Sequence, residues 1–304
     1  GRLSVLLGAG LDYDDNRNSG PSTGRRLFLD TPIVLFTGTR TSDISRTMMA
    51  NIDGSYDLGF QAGHTVQGGL SYYRAEQVDL RTMNLQSYSA DAGFTWRSKR
   101  FGDFTPSVGF THLLLGQTTY MRSREARGKY EKPLTKKLNG TVDGGYQRNE
   151  YNRTWVVPTG DQRTGDKFDV GFGLSYTLTS TQRISLNFNH SETGAREEFN
   201  TFNRETLTLG HSWFLGKGMF FLTSASGNFD RYERPERVIS VRAREDDSYR
   251  IRGTFGLPMS LLWKPLKDFT WTASYEYFQS FSNIMSYAYT NNKISTMMSY
   301  KWQL

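Results

Sequence analysis

Four histidines are the residues of this sequence best suited to acid–base chemistry. His190 is followed directly by Ser191, which places a base next to a hydroxyl nucleophile in the chain. Neighbouring residues on a β-strand point to opposite faces, so this spacing prevents the hydrogen bond that the chemistry requires. His64, His112 and His211 have no second ligand or base at a usable spacing. The histidines therefore predict no enzyme and no cofactor.

An acidic segment near the start of the chain is the strongest candidate for a metal site. Its oxygen-bearing side chains are Asp12, Asp14, Asp15, Asn16 and Asn18. Alternating oxygen ligands resemble the first part of a calcium loop, but Arg17 stands where that loop needs glycine, and no acidic residue closes it. We interpret the segment as the solvated end of a strand, with calcium binding as the alternative.

The elements that position these residues are strands. The longest aliphatic runs, such as 113–115, fall far short of the ~20 residues that a membrane-spanning helix needs. Between 168 and 178 apolar and small or polar residues alternate strictly. The apolar positions are Phe168, Val170, Phe172, Leu174, Tyr176 and Leu178. Segments of about ten residues with this period, separated by turn residues, are typical of a transmembrane β-barrel.

The same alternation along the rest of the chain predicts fourteen antiparallel strands in one domain, 1–304. Their predicted positions are 2–12, 46–58, 64–76, 86–97, 104–115, 118–131, 137–149, 166–178, 182–191, 203–215, 218–231, 247–262, 269–281 and 287–303. Short turns alternate with mostly long loops, such as 13–45 and 231–247. In outer-membrane barrels short turns face the periplasm and long loops face outward, so we expect both termini in the periplasm.

Two segments fit this scheme less well. The apolar segment 32–38 could be a further strand, which with a partner would raise the count to sixteen. The strand 118–131 carries arginines or lysines in both registers, and a lipid-facing arginine costs ~2–4 kcal/mol at the membrane midplane. We therefore expect some of these charges to lie near a rim, or the register of this strand to differ.

Composition supports a barrel and excludes other classes. Aromatic residues make up 14% of the chain, and there are 30 glycines and 8 prolines, which suits interfacial girdles and curved strands. There is no cysteine, which excludes disulfides and thiolate metal sites. The net charge is +7, but the basic residues are scattered and no nucleic-acid-binding module is present, so we expect lipid and not nucleic acid as a partner.

Charged residues in the inward register are the candidates for a functional interior. They are Asp53, Asp91, Asp143, Asp169, Arg204, Arg250, Arg252, Glu276 and Lys293. Their mixed signs suit a water-filled conduit or one crossed or plugged by polypeptide. An equally weighted alternative is a set of ion pairs that only stiffen the wall.

The C-terminal third resembles the barrel of surface lipoprotein assembly modifiers and related barrels linked to tetratricopeptide repeats. The residues that carry the resemblance are Arg244 and Asp246, then Tyr275, Tyr277, Ser282, Asn283, Ile284, Tyr287, Tyr289 and Asn291; the opening 8–13, followed by Asn16, is similar to the first barrel strand of the group. The resemblance implies a fourteen-stranded barrel that helps lipoproteins or secreted proteins cross the outer membrane. It also implies a periplasmic helical-repeat domain ahead of the barrel, or a separate periplasmic partner.

We therefore predict an outer-membrane barrel that assists translocation of lipoproteins or other proteins to the cell surface. One alternative is a porin or export channel for small solutes or polysaccharide. Another is a structural barrel that anchors an envelope complex.

Overall fold

Fourteen antiparallel strands close into one ring in the computed structural model, which describes residues 1–34, 40–60 and 63–304. In chain order the strands are β1 (Arg2–Asp14), β2 (Arg25–Phe28), β3 (Thr31–Val34), β4 (Asp43–Asp57), β5 (Thr65–Gln77), β6 (Leu85–Ser98), β7 (Gly102–Leu115), β8 (Thr118–Pro133), β9 (Leu138–Tyr151), β10 (Gly165–Thr179), β11 (Gln182–Thr193), β12 (Phe202–Gly216), β13 (Met219–Tyr232), β14 (Glu245–Pro258), β15 (Phe269–Ser282) and β16 (Tyr289–Gln303). From β4 to β16 each strand pairs with the next strand in the chain. β1 pairs with both β4 and β16 and so closes the ring.

Short 3₁₀ helices complete the secondary structure of the described residues. They are Arg81–Met83, Gly160–Arg163, Glu198–Asn200, Met259–Leu261, Lys264–Leu266 and Met285–Tyr287. Among the residues described, no helix has the length and apolarity needed to cross a membrane.

Alternation of side chains gives the sheet two different faces. On β10 the apolar positions, such as Phe168 and Phe172, are exposed on one face, while Asp169 and Gly171 lie on the other. Cross-strand pairs keep the faces in register, as where Phe172 pairs with Phe188 of β11. The predicted all-β transmembrane barrel with fourteen strands is thus confirmed, because a closed ring with an apolar outer face suits a lipid environment.

The sixteen-stranded alternative fails because the extra strands lie outside the ring. In the described part of the chain, β2 and β3 pair only with each other, as a small hairpin. Residues 32–34 of the segment in question belong to β3, and 35–38 lie outside the described residues.

The register of β8 explains how this strand carries charge on both faces. Arg127 pairs with Gly145 and lies on the same face as Lys129. Arg122 and Arg124 lie on the opposite, outer face, near the end of β8 where the strand begins. The pairing of β7 with β8 also shifts register between Leu113 and Leu114.

The two ends of the barrel differ. One end, which we call the short-turn end, carries connections such as 180–181 and 217–218 together with both chain termini. The other, the long-loop end, carries 15–42, 152–164, 194–201, 233–244 and 283–288 as well as a few short connections. The asymmetry provides a platform of loops at one end only.

Candidate functional site

The inner face of the barrel, which we call the polar face, holds most of the charged side chains that meet one another. Arg127 of β8 donates to Asp143 of β9 at 3.0 Å and, two strands away, to Asp169 of β10 at 2.7 Å. Side chains of second-neighbour strands converge only on the concave side of a curved sheet, so this face is the interior. The Asp169 side chain is only 2% exposed.

The structure places the charged residues singled out from the sequence on this face, where the pairing register aligns them with the Arg127 cluster. They are Asp53, Asp91, Asp143, Asp169, Arg204, Arg250, Arg252, Glu276 and Lys293. They do not gather into one cluster but are distributed around the ring. The interior is therefore a charged wall and not a compact site.

Several of these residues form ion pairs along the wall. Arg204 makes a two-pronged contact with Asp230, with both N–O distances at 2.6 Å. Arg250 lies 3.4 Å from Glu276, and Lys293 lies 3.0 Å from Asp12. The cations of these last two pairs, Arg250 and Lys293, are partly exposed, and ion pairs with exposed partners contribute ~0–1 kcal/mol each.

Other candidates have no oppositely charged partner among the described residues. Asp53, Asp91 and Arg252 make no ion pair within the ranges 1–34, 40–60 and 63–304. The same is true of Glu125, an inward residue of β8 that sequence reasoning missed because the register of that strand was ambiguous.

These carboxylates form a row across five strands, which we call the acidic row. Directly paired positions run Asp53, Gly69, Asp91, Gly109 and Glu125. Glycine at the intervening positions provides space, since a Cβ at Gly69 would lie 2.8 Å from an Asp91 oxygen and 3.1 Å from an Asp53 oxygen. The row covers one wall of the interior, from β4 to β8.

The wall across from the acidic row carries several basic side chains, of which Arg204 and Arg250 are paired with Asp230 and Glu276. Arg250 and Arg252 lie on β14, and Arg204 lies on β12. The ring order puts these strands on the far side of the barrel from β4–β8. A solute or polypeptide inside the barrel would therefore meet the unpaired carboxylates of the acidic row on one side and, on the other, Arg252, which makes no ion pair within the described ranges.

A cavity of about 510 Å³ lies in the interior toward the long-loop end. Its lining combines cations with aromatic and amide side chains. The cationic and aromatic residues of this lining are Arg163, Lys167, Arg204, Arg244, Tyr151, Phe202 and Tyr232. Arg204 also lies over the ring of Phe202, with 5.2 Å between the guanidinium carbon and the ring centre. The cavity can bind polar and anionic groups and can stack against flat apolar ones.

Arg244 connects this cavity to the loops above it. Its Nε donates to Asp246 at 2.6 Å, and its guanidinium lies between the rings of Tyr232 and Tyr287. The Tyr287 hydroxyl donates to Glu236 at 3.1 Å. Burial, followed by the nearby Glu236 charge, raises the pKa of Tyr287 to about 12, so this phenol stays protonated at neutral pH.

Three long loops interlock over one side of the long-loop end. Asn16 of the first loop donates to the carbonyl of Thr290, at 2.9 Å, and Leu27 N–H donates to the Ser286 hydroxyl at 2.8 Å. The Asp30 carboxylate accepts from the Ser240 hydroxyl at 2.5 Å and from Val241 N–H at 3.0 Å. Loops 15–42, 233–244 and 283–288 thus form one assembly, which we call the loop cap.

The acidic segment that begins in the last residues of β1 is buried and paired within the protein, which corrects the expectation of a solvated strand end. Asp12 and Asp14 are buried, and their partners are Lys293 and Arg17. Asp15 pairs with Arg40. In the described residues no group of three or more His, Cys, Asp or Glu side chains has the geometry to hold a metal ion.

The histidine and serine that are adjacent in the sequence lie on opposite faces of β11. Ser191 is buried on the polar face, whereas His190 lies on the outer face, 3.7 Å from Glu192. His112 contacts the Thr119 hydroxyl at 3.0 Å on the outer face. Opposite faces of one strand keep His190 and Ser191 from acting together.

A closed antiparallel barrel with an apolar outer face and a charged interior defines the class of outer-membrane β-barrel proteins. Solved structures with this fold include an anion-selective porin from Comamonas acidovorans, with a TM-score of 0.50 and 9% identity, covering 99% of this chain and 98% of the porin. They also include OccAB1 from Acinetobacter baumannii, with a TM-score of 0.50 and 9% identity, covering 100% of this chain and 96% of OccAB1. At such low identity these likenesses show the fold alone.

The family is shown by the sequence itself. Residues 64–302 match the family model described as surface lipoprotein assembly modifier. The chain therefore belongs to the surface lipoprotein assembly modifier family, as the C-terminal motifs predicted. A search among curated proteins gives no match to this sequence. The motif residues Arg244, Asp246, Ile284 and Tyr287 all lie in or beside the loop cap.

Proposed function

We propose that this chain is the outer-membrane barrel through which a lipoprotein, or another protein, passes to the cell surface. The observation that carries the proposal is the match of residues 64–302 to the surface lipoprotein assembly modifier family. The charged, partly unpaired interior supports it, because an extended polypeptide needs hydrogen-bonding partners and water along its path.

The proposed orientation puts the short-turn end and both termini in the periplasm and the loop cap outside. The asymmetry of turn and loop lengths supports this orientation, since outer-membrane barrels carry short turns on the periplasmic side. A periplasmic helical-repeat domain, or a separate partner protein, would then deliver the substrate to the end at which Gly1 and Leu304 lie.

In this proposal the charged wall lines the passage. Asp53, Asp91 and Glu125 on one side and Arg252 on the other would contact the passing chain, because no ion pair within the described ranges occupies them. The ion-paired members of the wall, such as Arg204 and Asp230, would hold its shape.

Surface display in cells tests the function. Deleting the gene should leave a substrate lipoprotein in the periplasm, inaccessible to added protease in intact cells, and a plasmid copy should restore its exposure. Unchanged display in the deletion strain, with the barrel shown to be absent, would refute the proposal.

Site-directed crosslinking tests the passage. The chain has no cysteine, so a single Asp91→Cys variant provides one thiol inside the barrel. A substrate arrested during export and carrying one cysteine should form a disulfide with this variant. A matched Phe172→Cys variant, whose thiol lies on the outer face, should not crosslink. Equal crosslinking of both would contradict passage through the interior.

A channel for small solutes or polysaccharide is the second candidate, which the charged interior and its cavity of about 510 Å³ favour. Conductance of the purified barrel in planar bilayers separates the two. A large, steady open-state current from the chain alone would support the channel, whereas a closed resting state with substrate-dependent opening would support translocation.

A further inference from the structure

Three arginines lie together on the outer face of the barrel, toward the long-loop end. Arg122 and Arg124 are on β8, and Arg148 is on the neighbouring β9. They share this face with Val142 and Tyr146, which belong to its apolar surface. We call these three side chains the arginine cluster.

The pairing register brings two like charges face to face. Arg124 lies directly opposite Arg148 in the antiparallel pair, and like charges at directly opposite positions destabilise a sheet. Arg148 is partly neutralised, because it donates to Asp166 at 2.9 Å. Asp166 also accepts from the Tyr146 hydroxyl at 2.7 Å, so both of its oxygens are used.

Arg122 and Arg124 are exposed and make no ion pair within the described ranges. Glu150, opposite Arg122, is the remaining acidic group on this patch. It does not come within salt-bridge distance of either arginine in the described structure. Two guanidinium groups thus lie on the outer face without a counter-ion from the described part of the chain.

The cluster lies at the edge of the apolar outer surface, on the side of the long-loop end. Arg124 lies opposite the exposed Phe110 of β7, and just beyond it toward the apolar surface the rings of Tyr146 and Phe168 contact each other, with 5.0 Å between their centres. Aromatic girdles of this kind mark the boundary between hydrocarbon and headgroups. The arginines lie where apolar side chains give way to charged ones.

We propose that the arginine cluster binds the phosphate groups of a phosphorylated glycolipid in the outer leaflet, the lipid A part of lipopolysaccharide. Arginine binds phosphate through two parallel N–H donors, and a phosphate between Arg124 and Arg148 would relieve their repulsion. The acyl chains would lie on the apolar surface of β7–β10, beside Val142 and Phe168. The assignment of the leaflet rests on the orientation proposed above.

Native mass spectrometry of the purified barrel tests the proposal with diphosphorylated lipid A as the probe. The wild-type chain should bind it, and removing both phosphates from the lipid should weaken binding by about tenfold or more. The double variant Arg122→Gln with Arg124→Gln should show a similar loss. Arg252→Gln, which removes one inward charge, serves as the control for lipid binding and should bind as wild type.

Several results would overturn the proposal. They are wild-type binding by the double variant, equal binding of the dephosphorylated lipid, an equal loss in Arg252→Gln, and displacement of the lipid by millimolar inorganic phosphate, which would indicate a simple anion site. Heat-modifiable electrophoretic mobility checks that each variant is a folded barrel. The comparison of the two lipids on wild-type protein keeps the test decisive if the double variant does not fold. No lipoprotein is present in this assay, so its failure is distinguishable from failure of the translocation function.

Discussion

The guanidinium carbon of Arg244 lies 3.6 Å from the centre of the Tyr287 ring, although the two residues belong to different loops. Arg244 ends the loop between β13 and β14, and Tyr287 lies in the loop between β15 and β16. The stack therefore fixes one loop against the other beside the interior cavity. An ion pair with Asp246 and contact with a second ring, Tyr232, help to hold Arg244 in place.

Replacing Tyr287 by alanine should loosen the loop cap, while Tyr287→Phe should preserve most of the stack. We expect Tyr287→Ala to lose about 1–2 kcal/mol of loop stability, the value of a desolvated cation–π contact. Limited proteolysis of intact cells should cut loop 233–244 faster in Tyr287→Ala than in wild type or Tyr287→Phe. Identical cleavage of all three would contradict a role of the ring in holding the loops.

The same tyrosine should show in an alkaline titration. Its pKa is raised from 10.0 to about 12 in the folded protein, so its stabilising effect is complete below pH 10 and is lost as the pH rises through about 12. The absorbance difference between wild type and Tyr287→Phe should contain one phenol that ionises near pH 12 and not near pH 10. A difference spectrum with an ordinary midpoint near pH 10 would show that the ring is not buried.

Arg127 should be more important for stability than an unpaired interior arginine. Arg127→Gln would leave the nearly buried Asp169 carboxylate without its cation, which should cost about 1–3 kcal/mol. Arg252→Gln is the matched control, because Arg252 has no ion pair in the described ranges, and it should change the unfolding free energy by less than about 0.5 kcal/mol. Urea unfolding in lipid vesicles measures both, and equal effects would contradict the assignment.

The Asp30 carboxylate should make the attachment of the β2–β3 hairpin sensitive to acid. Hydrogen bonds from the Ser240 hydroxyl and Val241 N–H lower the pKa of Asp30 below its ordinary 3.8. The contribution is therefore present above pH 3.8 and is lost as the pH falls through the lowered value. The protection factor of the Val241 amide, which is its intrinsic exchange rate divided by the observed rate at the same pH, should fall in acid, and the amide should exchange faster in Asp30→Asn than in wild type already at neutral pH. An exchange rate in Asp30→Asn equal to wild type would refute the attachment.

Gly10 should be required where the ring closes. A Cβ at this position would lie 2.3 Å from the Thr296 carbonyl oxygen, a backbone atom that cannot move aside. Gly10→Ala should therefore weaken the pairing of β1 with β16 and lower the temperature at which the folded band disappears in electrophoresis. Gly54→Ala is the control, since the nearest atom to its added Cβ lies at 4.0 Å. Equal heat resistance of both variants would argue against a tight seam.

Much of the fold is predictable because β-alternation is a local property. Predicting the apolar even positions of 168–178 requires only that one face of the strand contacts lipid, and the structure puts Phe168 and Phe172 on that face. The ring closure and the strand count of fourteen follow once every segment has the same period. The hairpin β2–β3 resembles a barrel strand by composition alone, and only its pairing, which is tertiary, separates it.

The interior was less accessible to sequence reasoning. Period-2 alternation indicates which residues share a face, but it does not give their partners, because partners depend on the stagger between strands. Arg127 could not be assigned to a face while Arg124 and Lys129 implied conflicting registers, and with it Glu125 was missed. Arg163 and Arg244 come from loops, where no periodicity exists. The motif residues Arg244 and Asp246 were the signal in the sequence that could have indicated the charged lining of the interior cavity.

The loop cap has a consequence for the order in which the protein matures. Asn16, near the start of the chain, donates to the carbonyl of Thr290, which is 274 residues away. Thr290 belongs to β16, the final strand of the chain. The earliest loop therefore cannot reach its final place until the last strand has been inserted and the ring is sealed. A partly assembled barrel would be uncapped, and attachment of loop 15–42 is a natural reporter that assembly has finished.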